Sequence, residues 1–257
     1  MRWLRSRAVG LVKAFGLHQT AIDWIDQLPL SLAALAVRLG GKKELVPSEP
    51  LKEAQRAGLA WLLNDGTQPI GDYVEFGVYQ GTSLACFHQV SAAFGLAGMR
   101  LFGFDSFDGL PPEAESDDTG IWHAGQYRCS LNYAKAYLTA MGIDWRRVHL
   151  IKGWFSATAR PETAAACGIT RISFAMIDCD LYRSSVEALT FIAPLLHDRA
   201  VIIFDDWAVD GLDQANKGQK RAFSEFLQSN PDWLVDTLPS YDEAARVFTL
   251  VRKSLPT

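Results

Sequence analysis

Two short acidic motifs carry the residues of this sequence that are best suited to chemistry. In IDCD, Asp178 ends an apolar run, and in FDDW, Asp205 and Asp206 end the next apolar run along the chain. The stretch between them suits one helix, so the two runs are predicted to be adjacent parallel strands, about 4.8 Å apart. Carboxylates this close raise one another's pKa or bind a cation, and hard oxygen ligands favour Mg²⁺, with Mn²⁺ and Ca²⁺ as alternatives.

Helix capping is the competing interpretation of these aspartates, because a helix is predicted to follow each motif. We favour capping for Asp180, the second acid of IDCD, and metal ligation for Asp206. Capping explains Asp178 and Asp205 less well, since each is the last residue of a buried strand. The sequence therefore predicts a metal site of Asp178, Asp205 and Asp206, with Asp180 beside it.

A second group of candidate residues follows the first three predicted strands, in EFGVYQGTS, FDSFDG and KGWF. Glycines let a ligand approach the backbone, a helix start offers amide donors, and a strand-end acid such as Asp105 accepts ribose hydroxyls. Glu75 and Asp105 together are costly without a cationic, hydroxyl-rich guest, and a sulfonium nucleoside offers both properties. A tight strand-to-helix connection is the alternative for the glycine turn. The predicted cofactor contacts are Glu75, Gly77, Gly81, Thr82, Ser83, Asp105, Ser106, Gly153 and Trp154.

The long segment 106–130 is predicted to be a lid beside this site, because loops of such length are usually lids or disordered segments. Trp122, His123 and Tyr127 are its candidate contacts to an acceptor substrate. Ordinary anchoring of the loop is an equally weighted alternative for the three residues.

Seven short β-rich runs set the fold class. Five near-continuous apolar runs, at 73–79, 100–105, 147–153, 172–178 and 199–205, are separated by helix-length stretches, which predicts a parallel α/β sheet covered on both faces. Runs 233–238 and 245–253 are too close for a helix between them, so they are predicted to form an antiparallel hairpin at the end of the sheet. The predicted architecture is a Rossmann-like, mostly parallel seven-stranded sheet with an antiparallel last strand (69–257), preceded by a helical appendage (1–68).

Composition excludes several classes of protein. The formal net charge of −4 argues against a nucleic-acid partner. The four cysteines, Cys86, Cys129, Cys167 and Cys179, form no C-x-x-C pair, which predicts free thiols and a cytoplasmic location. Segment 1–17 has four basic residues and no acid, so association with a membrane surface is an alternative there; we favour a helix that packs on its own domain or on a second subunit of a homodimer.

The sequence resembles the macrocin O-methyltransferase family, within the class I S-adenosylmethionine-dependent methyltransferases. The likeness runs from about residue 70 to 210, through EFGVYQGTS, DSFDGLP, KGWFSAT, IDCDLYRSSVEAL and IIFDDW. It implies S-adenosylmethionine and Mg²⁺ as cofactors, and it places Asp178 next to the acceptor hydroxyl, where it would take the proton. Cys179 stands where a glycine is typical and Trp207 where a tyrosine is common, and both positions are expected to touch the substrate. The expected substrate contacts also include Asp180.

The expected function is therefore a Mg²⁺-dependent O-methyltransferase that acts on one hydroxyl of a vicinal diol in a sugar, on a small molecule or a glycan. A catechol-type methyltransferase is one alternative, and aromatic residues of the 107–130 loop would favour it. A non-catalytic nucleotide-binding module is the other alternative, and it would not explain Asp178, Asp205 and Asp206.

Overall fold

This computed structural model describes residues 22–39, 46–64 and 70–253. The basic segment 1–17 lies outside the described residues. The strands are β1 Asp72–Phe76, β2 Leu101–Asp105, β3 Val148–Lys152, β4 Ile172–Ile177, β5 Leu196–Phe204, β6 Trp233–Leu238 and β7 Arg246–Arg252. The main helices are α1 Leu30–Leu39, α2 Ser48–Leu63, α3 Thr82–Ala93, α4 Leu131–Ala140, α5 Phe155–Thr158, α6 Pro161–Cys167, α7 Tyr182–Ile192 and α8 Gly218–Ser229.

The seven strands form one sheet in the order β3-β2-β1-β4-β5-β7-β6. Strands β1 to β5 pair in parallel, and β7 is antiparallel to both β5 and β6. This confirms the predicted mostly parallel sheet with an antiparallel last strand. The strand order reverses between β1 and β4, and a crevice opens at the carboxyl ends of the strands where such a reversal occurs.

Burial of both faces explains why the strand runs are almost uniformly apolar. Every residue of β1 and β4 is buried. One face of the sheet carries a core with Tyr73, Phe174 and Val201, and the other face carries a core with Phe104 and Phe204. Alternate residues of each strand therefore enter different cores, and the strand ends lie at the edge between them.

The two helices before β1 pack against the first of these cores. Helix α2 buries Leu51 and Leu59 and lies on α3 and the sheet, while α1 lies on α4. Gly58 lets α2 approach the sheet, because a Cβ placed on Gly58 would be only 2.6 Å from the Phe174 ring. The division of the chain into 1–68 and 69–257 stays a prediction, although these helices share one apolar core with the sheet. None of the described helices is both long enough and apolar enough to cross a membrane.

Candidate active site

A cavity of about 720 Å³ lies over the carboxyl ends of the central strands. The predicted site residues that line it are Gly77, Thr82, Ser83, Asp105, Ser106, Tyr127, Gly153, Trp154, Asp178, Asp180, Asp205 and Asp206. The structure therefore brings the tips of β1 to β5 to one cavity, as parallel strands require.

The aspartates that follow β4 and β5 form a compact cluster in this cavity. One carboxylate oxygen from each of Asp178, Asp205 and Asp206 lies within 4.8 Å of the other two. The strands hold them together, because the Asp178 amide donates to Phe76 O at 2.8 Å and the Asp205 amide donates to Ile177 O at 3.1 Å. Three converging hard oxygen donors match the ligand preference of Mg²⁺, so these residues fit a divalent cation.

Burial and mutual repulsion raise the pKa of every carboxyl group in the cluster. Removal from water is the largest cause for Asp178, Asp205 and Asp206, and the charges of the neighbouring aspartates add to it for Asp178 and Asp205. The pKa of Asp206 rises to about 7. The carboxyl groups of Asp178 and Asp205 hydrogen-bond to each other, and among the described residues no donor outside the cluster reaches the carboxylate of Asp178 or Asp180. A bound cation would offset the cost of this charge.

Asp206 has the most protein support of the cluster. Its Oδ2 accepts from the Asp180 amide at 3.0 Å and from the Gln219 side chain at 3.1 Å. Gln219 also accepts from the Asp206 amide at 3.0 Å. Gln219 is fully buried at the start of α8. No sequence pattern marks Gln219, because it lies outside both acidic motifs.

The capping interpretation of Asp180 is wrong. The residue before α7 is Leu181, which makes no side-chain cap, and the amides of Tyr182 and Arg183 instead donate to the Asp117 carboxylate at 3.0 and 3.1 Å. Asp180 adopts a left-handed backbone conformation, with φ of 63°, and lines the cavity. A residue of the long loop thus caps α7 and leaves Asp180 beside the cluster.

Gly77 is the point of closest approach between β1 and the segment after β4. Its φ is 89°, and a Cβ placed on it would stand 1.6 Å from the Asp178 carbonyl oxygen. No side chain fits there, so the glycine turn of EFGVYQGTS is required by packing as well as by any ligand. Gly81 is the residue before α3 and lies outside the cavity lining.

Glu75 does not line the cavity but lies directly behind Ser83, which does. Its two oxygens accept from the Tyr73 hydroxyl at 2.5 Å and from the Ser83 hydroxyl at 2.7 Å. The side chain is fully buried, and loss of hydration raises its pKa to about 7, against the two hydrogen bonds, which lower it. The structure therefore gives Glu75 an internal partner set, and its direct contact with a cofactor stays a prediction that this placement does not support.

Asp105 faces the cavity from the end of β2. Its Oδ2 accepts from the amides of Val78 and Tyr79 at 2.7 and 2.8 Å, and its Oδ1 accepts from the Phe107 amide at 2.6 Å. Burial raises its pKa, while these amide donors oppose the rise. The carboxylate is thus fixed against the turn after β1, with its remaining lone pairs available to a ligand in the cavity.

Of the residues proposed to contact an acceptor in the 106–130 loop, only Tyr127 lines the cavity. Burial is the main cause that raises its pKa, and the nearby aspartates contribute. Trp122 packs edge-on against Tyr127, with ring centroids 5.8 Å apart. The His123 side chain is 71% exposed and lies 4.0 Å from Glu115. Trp207 lies behind the cluster, and its ring centroid is 4.8 Å from that of Phe248. Substrate contacts of Trp122, His123 and Trp207 stay predictions that this arrangement does not favour.

Comparison with known proteins places most of the chain in one family. A family model described as "Macrocin-O-methyltransferase (TylF)" matches residues 56–243. A curated relative, the 8-demethyl-8-(2,3-dimethoxy-alpha-L-rhamnosyl)-tetracenomycin-C 4'-O-methyltransferase of Streptomyces olivaceus, is 30% identical over 161 residues, which are 60% of this chain and 59% of the relative. The chain spans between 55% and 61% of the length of the curated relatives that it matches.

Solved structures share the fold at lower sequence identity. The O-methyltransferase NovP superposes with a TM-score of 0.64 at 21% identity, over 79% of each chain. CalS11, a calicheamicin methyltransferase, has a TM-score of 0.62 at 22% identity, over 91% of this chain and 90% of that one. At these identities the likeness supports the architecture of the sheet and its helices.

Proposed function

The chain belongs to the macrocin-O-methyltransferase (TylF) family, whose model covers most of it, and from this premise we propose that it is an S-adenosylmethionine- and Mg²⁺-dependent O-methyltransferase. Its proposed acceptor is a hydroxyl of a vicinal diol in a sugar, within a glycoside, natural product or polysaccharide. The observation that carries the proposal is the convergence of Asp178, Asp205 and Asp206 in a cavity that also contains Asp105. The relative from Streptomyces olivaceus is named for a rhamnosyl substrate, which supports the acceptor class.

The proposed roles of the residues follow from their places in the cavity. Asp105 would hold the ribose hydroxyls of the cofactor, and Trp154, which is 39% exposed beside Gly153, would form the floor of the adenine pocket. These contacts would orient the cofactor toward the acceptor oxygen, and alignment of this kind can supply about 7 to 11 kcal/mol of a barrier.

Asp178, Asp205 and Asp206 would hold the metal at the opposite side of the cavity. When bound, a divalent cation supplies Lewis-acid polarisation of neighbouring acceptor oxygens. Asp178 would accept the proton of the acceptor hydroxyl, because its carboxylate lines the cavity beside the proposed metal ligands Asp205 and Asp206. The site needs no covalent enzyme intermediate.

A catechol-type acceptor is the second candidate, and one observation favours it. Tyr127 lines the cavity and packs edge-on against both Trp122 and Tyr79, at centroid distances of 5.8 and 6.4 Å. Aromatic rings beside a metal site would also suit an aromatic diol.

Calorimetry with S-adenosylmethionine, with and without Mg²⁺, tests the cofactors directly. Methyl transfer to matched panels of sugar diols and catechols then separates the two acceptor classes. Cofactor binding with no transfer to any acceptor and no Mg²⁺ binding would leave only a nucleotide-binding module. If Asp205→Ala kept the parent's transfer rate and metal requirement, the metal assignment would be wrong.

A further inference from the structure

The loop between β6 and β7 provides the only side-chain hydroxyl that donates to the aspartate cluster among the described residues. The Tyr241 hydroxyl donates to Asp205 Oδ1. Tyr241 is 8% exposed and belongs to the apolar core on one face of the sheet. Its ring is therefore fixed by packing while its hydroxyl reaches the cluster.

The backbone around Tyr241 is held by one hydrogen bond to the segment after β5 and by two hydrogen bonds within its own loop. The Ala208 amide, just after the FDDW motif, donates to Ala244 O at 2.8 Å. Asp242 Oδ1 accepts from the amides of Ala244 and Ala245 at 2.9 and 2.7 Å. The loop that carries Tyr241 thus lies beside Asp205 because the antiparallel pairing of β7 with β5 brings it there.

A donor at Asp205 matters because it sets the orientation of the Asp205 carboxylate. It follows the last residue of β5, and its amide donates to Ile177 O, so the backbone is fixed. The orientation of its carboxylate depends on side-chain contacts, which in the described part of the chain are those with Asp178 and Tyr241. A hydroxyl on Oδ1 uses one lone pair and limits the rotation of the carboxylate, which leaves Oδ2 and the other Oδ1 lone pair for a cation. Partners that orient a ligand in this way typically change metal affinity 10- to 100-fold.

We propose that Tyr241 is a positioning residue for the metal site, which holds Asp205 in the orientation that binds a divalent cation. This inference rests on the proposed function, because it assumes that the cluster binds the metal. The hydroxyl would act through Asp205, because Tyr241 itself is not among the residues that line the cavity.

The test compares Tyr241→Phe with the matched control Tyr182→Phe. Tyr182 also donates its hydroxyl to a carboxylate, Glu225 Oε2 at 2.7 Å, but that carboxylate lies on α8 outside the cavity lining. Titration of each full-length, metal-free protein with MgCl₂ in a calorimeter gives the dissociation constant without any need for turnover. The melting temperature of each metal-free protein reports separately on the loss of packing.

We expect Tyr241→Phe to weaken Mg²⁺ binding about 10- to 100-fold, and Tyr182→Phe to leave it within about twofold. Excess Mg²⁺ should restore methyl transfer by Tyr241→Phe, since the ligands themselves remain. A Tyr241→Phe dissociation constant within twofold of the parent's would overturn the inference, even if the melting temperature fell. A parent protein that binds no Mg²⁺ would instead overturn the metal site itself, and this inference with it.

Discussion

Two groups of buried or half-buried carboxylates lie at the strand ends of this sheet, and they differ in what surrounds them. At β1 and β2, Glu75 accepts from two hydroxyls and Asp105 accepts from three backbone amides. At β4 and β5, the carboxyl groups of Asp178 and Asp205 hydrogen-bond to each other, and within the described residues no donor outside the cluster reaches Asp178 or Asp180. The first group is stabilised by the protein itself. The second is stable as a set of anions only with a cation, which is why it is the better candidate for metal chemistry.

The largest expected effect comes from the group with few donors. Asp178→Asn should lower the rate of methyl transfer about 10²- to 10⁴-fold at saturating Mg²⁺, the range typical of a lost general base. Its affinity for S-adenosylmethionine, measured by calorimetry, should stay within about twofold, because Asp105 is unchanged. The exposed Asp198, paired with Arg252, offers the control Asp198→Asn.

The neighbouring carboxylate tests which aspartate takes the proton. Asp180→Asn leaves the three proposed ligands in place and changes only a cavity-lining acid. We expect a smaller loss of rate than for Asp178→Asn. An equal or larger loss, with Mg²⁺ affinity intact, would move the proton acceptor to Asp180.

The pH dependence of the free energy of unfolding tests the raised pKa of Glu75, which belongs to the first group. Its pKa of about 7 in the folded chain lies above the ordinary value, so between about pH 4.5 and pH 7 the native state keeps a proton that the unfolded chain releases. The free energy of unfolding should therefore fall as pH rises through this window, by up to about 3 kcal/mol. Urea denaturation in excess Mg²⁺ separates the contribution of Glu75 from that of the aspartate cluster. In Glu75→Gln, the free energy of unfolding should change less with pH over this window. An unchanged slope in that variant would contradict the assignment.

Mg²⁺ bound to the second group should stabilise the folded protein at neutral pH. At a free concentration about 100 times its dissociation constant, a ligand that binds only the native state adds about 2.7 kcal/mol to the free energy of unfolding. We expect this gain for the parent in urea denaturation at pH 7 and its loss in Asp205→Asn. A parent curve that does not move with MgCl₂ would mean that the acidic cluster is no metal site.

The smallest effect is expected at Asp105. Asp105→Asn keeps one acceptor oxygen for the amides of the turn after β1, so we expect cofactor affinity to fall only about tenfold, roughly 1.4 kcal/mol. Mg²⁺ affinity should stay at the parent's value. Asp108→Asn, in the same loop but outside the cavity lining, is the matched control. If Asp105→Asn bound the cofactor as tightly as the parent does, the assignment of Asp105 to the ribose hydroxyls would be wrong.

The sequence by itself determined the sheet and the convergence of its acidic ends. Apolar runs of strand length, separated by helix-length stretches, admit few arrangements other than a parallel sheet, and parallel strands place all their carboxyl ends on one edge. For this reason Asp105, Asp178, Asp205 and Asp206 meet in one cavity, as predicted.

Only the tertiary structure decided which side chains reach the cavity and what surrounds them. Whether a strand-end side chain faces the core or the cavity depends on the local backbone, and this separates Glu75 from Asp105. Asp117, Gln219 and Tyr241 hydrogen-bond to residues of the acidic motifs or of the helix after them, and they come from other segments of the chain. No local pattern marks them, because each contact exists only after the sheet and its helices have packed together. The local hydrophobic pattern determines where the helices and strands lie, whereas the donors around each carboxylate depend on packing between distant segments.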